Sequence, residues 1–85
     1  MSIVLAYENE VRRLLCKVLD LPSADHIPLN EDLQGSGMDS LNCMELTIAL
    51  EDTFHITIPD ERLGLQYIRN IRDICQLIEE IKTYE

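Results

Sequence analysis

Apolar residues in this chain recur every three or four positions and nowhere alternate for long enough to suggest a strand, so its core must be assembled from helices. With 85 residues, there is room for one domain spanning 1–85. From Ile3 to Leu19, the residues Ile3, Val4, Tyr7, Val11, Leu14, Leu15 and Val18 share one arc of a helical wheel, with Arg12, Arg13 and Lys17 opposite. A second helical run extends from Leu41 to Phe54. Ile58-Pro59-Asp60-Glu61 reads as the start of a short helix reaching Gln66. Asn70, with Asp73 three residues on, reads as a capped start to a last helix whose inward stripe is Ile71, Ile74, Cys75, Ile78 and Ile81. Asp20 to Met38 contains Pro22, Pro28, Gly35 and Gly37 and holds no period; it is a long loop, pinned by Ile27, Leu29 and Leu33. The expected fold is all-α, a small four-helix bundle of three longer helices and one short one, with a long loop between the first two.

Charge narrows the function. The net charge is −9, and no Lys or Arg occurs between Lys17 and Arg62. That interval holds ten of the sixteen acids: Asp20, Asp25, Glu31, Asp32, Asp39, Glu45, Glu51, Asp52, Asp60 and Glu61. Such a field repels nucleic acids and anionic membranes and attracts basic protein surfaces. Cys16, Cys43 and Cys75 are odd in number and far apart, which suggests neither a disulfide framework nor a zinc site. The acids never fall into the spacing of a calcium-binding loop, and no Ser, His and acid set suggests an enzyme. No apolar run approaches the ~20 residues of a membrane span, and Ile3 to Tyr7 is too short for a signal-peptide core. A cytoplasmic monomer is expected.

The second long helix carries two apolar stripes. Cys43, Leu46, Thr47, Leu50 and Phe54 cluster on one side and form the core face. Leu41, Met44 and Ile48 lie on the other, interleaved with Glu45, Glu51 and Asp52. Apolar area ringed by carboxylates suits a transient docking surface. The competing reading for Leu41 and Met44 is packing beneath the preceding loop.

Before this helix stands Gly35-Ser36-Gly37-Met38-Asp39-Ser40-Leu41. A serine or aspartate here is commonly no more than a cap. Several features add to that reading. The glycines admit close approach of a partner, helix N-terminal amides favour an attached phosphate, and Asp39 offers a hard oxygen to a partner-bound Mg²⁺. Gly37-Met38-Asp39-Ser40-Leu41, followed by Glu45-Leu46, Leu50-Glu51, Phe54 and Ile58-Pro59-Asp60-Glu61, resembles the phosphopantetheine attachment site and second helix of acyl carrier proteins.

The resemblance implies a carrier rather than an enzyme. A phosphopantetheinyl transferase would move 4'-phosphopantetheine from coenzyme A onto Ser40, with Asp39 assisting through Mg²⁺. The arm would then carry acyl intermediates as thioesters between enzymes of fatty-acid, polyketide or related biosynthesis. Partner binding is implied for Leu41, Met44, Glu45, Ile48, Glu51 and Asp52, facing acyl-loading, synthase or acyltransferase enzymes with basic docking surfaces. An acyl pocket is implied among Leu50, Phe54, Ile58, Ile68 and Ile74. Three departures stand out: Asn42 replaces the aspartate that fatty-acid carriers usually place two residues after the serine, the run before Ser40 is longer, and Glu61 to Ile68 is about two residues longer. They leave the carrier class intact and the pathway open. The rival readings are an aminoacyl or peptidyl carrier, and an unmodified acidic interaction module of the same fold.

Overall fold

The amphipathic opening run folds as α1 (Ile3–Leu19), in which Val11 and Leu15 are fully buried and Leu14 nearly so. The computed structural model describes residues 3–84, with side chains from 7 to 83. Ile3 and Val4, expected on the inward arc, fall outside the described side chains. The helix closes where Asp20 adopts a left-handed φ of 55° and the Leu21 N–H donates to the Cys16 carbonyl at 2.9 Å, one of the carbonyls that a helix end leaves without an internal partner.

The second helix, α2 (Ser40–Phe54), begins on Asp39 and stops at His55, whose φ of 56° turns the chain away. The last helix, α3 (Ile71–Tyr84), begins on Asn70, whose Oδ1 accepts the Asp73 N–H at 2.8 Å. Ile71, Ile74, Cys75 and Ile78 are buried along its inner face, Leu77 joins them and Ile81 is half-buried. α1 packs against both α2 and α3, and Leu46 and Leu50 of α2 complete the centre of the core.

The long connection from Asp20 is irregular up to a short 3₁₀ turn, Leu33–Ser36, capped by the Asp32 carboxylate and closed by Gly37 at φ 104°. Ile27 and Leu33 are buried and Leu29 is half-buried against the core, the three anchor points expected from sequence. A fourth anchor comes from Arg12. The wheel sets it on the solvent side, but its guanidinium reaches under the loop, donating to the carbonyl of Ile27 at 2.7 Å and that of Ala24 at 2.5 Å, with Nε on the Glu8 carboxylate at 2.8 Å. Loop carbonyls have no ladder to satisfy them, and a forked five-donor group can serve several at once. Main-chain bonds from Leu33 N–H to the Arg69 carbonyl (2.8 Å) and from Arg72 N–H to the Leu29 carbonyl (3.1 Å) tie the loop to the start of α3.

The expected short fourth helix is replaced by a single 3₁₀ turn, Asp60–Arg62. Pro59 enters it in extended conformation, Leu63 leaves it extended at ψ 147°, and Gly64 then takes φ 121°. Proline fits a helix start, but a left-handed glycine five residues later ends any helical path before it gains a second turn. The described residues therefore form three α-helices and no strand. No helix among them is long and apolar enough to cross a membrane.

Candidate functional site

Asp39 and Ser40 occupy the point where the long loop enters α2. The Asp39 carboxylate accepts the Asn42 N–H at 2.8 Å, and Asn42 Oδ1 accepts the Asp39 N–H at 3.3 Å, forming a reciprocal cap. Ser40 is the first residue of the helix proper and is exposed, as is Asp39. The helix dipole and the first-turn amides of Ser40 and Leu41, which the cap does not use, make this end favourable for a phosphoryl group.

A cleft of about 470 Å³ runs from Ser40 along α2. One wall is α2 itself, through Cys43, Met44, Thr47, Ile48 and Glu51; the other is the segment carrying Ile58, Asp60, Leu63, Gly64 and Leu65. Its lining is predominantly apolar. The Thr47 hydroxyl is already satisfied, donating to the Cys43 carbonyl at 2.9 Å. Burial pushes the Cys43 thiol above its ordinary value, with Gly64 and Thr47 partly offsetting this, so the thiol stays protonated. Glu51 is half-buried at the cleft, where its Oε2 accepts the Ile58 N–H at 2.8 Å and holds the far wall to α2.

The residues singled out in the sequence separate into three groups. Leu41, Met44 and Ile48 are 65%, 63% and 64% exposed, so Leu41 does not pack under the loop, and Glu45 and Asp52 stand exposed beside them. Glu51 differs from its acidic neighbours because its carboxylate already has an internal partner. Of the five residues associated with an acyl pocket, Ile58 lines the cleft. Leu50, Ile68 and Ile74 are fully buried in the core, and Phe54 packs edge-on against Tyr7 with ring centroids 5.6 Å apart. Thr47 and Cys43, read from the wheel as core alone, also form the cleft floor. Leu63 and Leu65 of the far wall went unassigned; their signal is a pair of leucines straddling a glycine in a polar run.

Among the described residues, no group of three His, Cys, Asp or Glu side chains is placed to hold a metal ion. The arrangement is an exposed hydroxyl at a helix N-terminus, opening onto an apolar cleft. A phosphate-linked arm fits it, because the hydroxyl is accessible and the cleft begins where the arm would leave.

The family model described as "Phosphopantetheine attachment site" matches residues 9–78. An acyl carrier protein of Helicobacter pylori strain J99 is 33% identical over 78 residues, covering 92% of this chain and 97% of that protein. The acyl carrier protein homolog of Ureaplasma parvum is 38% identical over 53 residues, 62% of this chain and 66% of that one. This chain belongs to the phosphopantetheine-binding acyl carrier protein family. It is a carrier and not an enzyme, and the domain it shares with the family bears covalently attached 4'-phosphopantetheine.

Proposed function

We propose that Ser40 is the attachment serine and that the protein ferries acyl groups of fatty-acid, polyketide or related biosynthesis between enzymes in the cytoplasm. The observation that carries this is the position of Ser40, exposed at the head of α2 and at the mouth of the apolar cleft. The attached arm supplies a terminal thiol on which acyl groups travel as thioesters. Ser40 contributes the hydroxyl that takes the phosphoryl group. Asp39 holds one carboxylate oxygen on the Asn42 N–H, leaving the other for Mg²⁺ in the transferase complex. Leu41, Met44 and Ile48, with Glu45 and Asp52, present an apolar patch edged by acid to basic enzyme surfaces. The predominantly apolar lining suits an acyl cargo.

The test is mass spectrometry after incubation with coenzyme A, Mg²⁺ and a broad-specificity phosphopantetheinyl transferase. The protein should gain one phosphopantetheinyl group, Ser40→Ala should gain none and Ser36→Ala should behave as wild type. Asp39→Asn, which keeps a capping oxygen, should be modified far more slowly while remaining folded. Modification at Ser36, or none with any transferase, would overturn the reading.

A further inference from the structure

Asn42 lies two residues beyond the attachment point, half-buried, and its side chain bonds in two directions at once. Oδ1 accepts the Asp39 N–H at 3.3 Å, while Nδ2 donates to the Val18 carbonyl at 3.2 Å. Both partners are groups that a helix end leaves unsatisfied: Val18 is in the last turn of α1, and Asp39 is the cap of α2. An amide serves both because it carries an acceptor and a donor; a carboxylate of the same shape can only accept. Asn42 thus caps α2 as an acidic residue would and, in addition, joins the start of α2 to the end of α1.

That join bears on the serine. The chain reaches Ser40 from an irregular loop whose last turn closes on left-handed Gly37; buried Met38, donating its N–H to the Leu33 carbonyl at 3.0 Å, anchors the loop side, and the Asn42 amide adds the tie to α1. α1 is packed on both other helices. We propose that Asn42 is a positioning residue for transfer onto Ser40: by clamping the α2 start to α1, its amide fixes the Ser40 hydroxyl and the Asp39 carboxylate against the rigid part of the bundle. This rests on the reading of Ser40 as the attachment serine. Small displacements of reacting groups are costly, with about 1 Å worth as much as a hundredfold in rate.

The experiment compares wild type, Asn42→Asp and Asn42→Ala as transferase substrates, with kcat and KM for the carrier measured separately where each is folded. Asn42→Asp keeps the bond to the Asp39 N–H, adds a charge that suits a helix N-terminus, and turns the donation to Val18 into a repulsion between two acceptor oxygens. Both variants should show kcat lowered about tenfold or more, with KM changed by less than about twofold. Amide hydrogens of Asp39, Asn42 and Cys43 should exchange faster in both. The kcat loss of Asn42→Asp should persist at high salt, which screens the added charge. Wild-type kcat in Asn42→Asp would overturn the proposal by showing the clamp to be irrelevant. A change confined to KM would make Asn42 a recognition contact, and a defect abolished by salt would make it a charge effect; either result also overturns it. Failure of wild type to be modified would instead refute the attachment reading, and unchanged amide exchange in the variants would independently refute the clamp.

Discussion

Leu46 and Ile48 stand two residues apart on α2 with side chains of equal carbon count, and the fold gives them opposite fates. Leu46 is 0% exposed and Ile48 is 64% exposed. Truncating Leu46 to alanine leaves a cavity in the core and should cost about 2–5 kcal/mol. A domain of this size is stable by roughly 4–13 kcal/mol at about 0.05–0.15 kcal/mol per residue, so that loss is a large fraction of the whole. Ile48 retains only about a third of its burial, and full burial of such a side chain is worth about 1.5–3 kcal/mol, so Ile48→Ala should cost about 0.5–1 kcal/mol. Urea unfolding followed by helical circular dichroism reads both values. At an unchanged slope, the Leu46 variant should lose on the order of 2 M in midpoint and the Ile48 variant about half a molar. Binding to a basic partner enzyme should reverse the order, with Ile48→Ala dissociating faster. If Ile48→Ala destabilises the domain as much as Leu46→Ala, the outward stripe is packed and the docking surface lies elsewhere.

Glu51 should behave unlike Glu45, although both are acids of the same helix. Glu51→Lys leaves the Ile58 N–H without its acceptor and should cost about 1–3 kcal/mol, while Glu51→Gln should cost under about 1 kcal/mol and Glu45→Lys under about 0.5 kcal/mol; equal melting temperatures for the two Lys variants would refute the role of Glu51 in holding the cleft wall. The buried Cys75 thiol, raised to about 11 by burial, with Glu8 adding to the rise and Arg12 offsetting it, should make the domain alkali-sensitive. Well below pH 9 the thiol is protonated in both states. Between about pH 9 and 11 only the unfolded chain releases the proton, so stability should fall by about 1–3 kcal/mol over that window. Cys75→Ala should flatten the decline in denaturant titrations, and an unchanged slope would show that the thiol is not its source.

Much of this architecture was legible because α1 and α3 obey a single rule. Each buries one stripe, and Asn70 announces the start of α3 through the same side-chain capping that the structure displays. The loop anchors Ile27 and Leu33 were legible as isolated apolar residues in a polar run. What could not be read depended on partners distant in sequence. Arg12 looks like a solvent-facing cation until the loop folds back and offers it carbonyls. Leu63 and Leu65 form a cleft wall only because Gly64 turns left-handed between them, and the same turn ended the expected fourth helix. Asn42 was visible as a departure from the fatty-acid carriers, but its bond to Val18 spans 24 positions and leaves no local trace.

The two-stripe pattern of α2 follows from the number of surfaces that one helix of 15 residues must serve. Leu46 and Leu50 face the core, Cys43, Thr47 and Glu51 face the cleft, Met44 and Ile48 stand largely exposed at the cleft's rim, and Leu41 faces solvent. A helix with apolar residues on most sides normally belongs deep inside a protein. Here it lies at the surface, and the three exposed apolar side chains would invite self-association if nothing opposed it. The acids interleaved among them supply that opposition, because like-charged copies repel while a basic partner is attracted. The absence of Lys and Arg between positions 17 and 62 is therefore the complement of the outward stripe. A cation placed there would pair with Glu45 or Asp52 within the molecule, weaken steering and leave the apolar patch less well guarded. On the proposed function, sequence charge and helix geometry meet at Ser40: one end of α2 presents the hydroxyl, one side borders the apolar cleft, and the exposed stripe at its rim offers the surface by which enzymes would reach both.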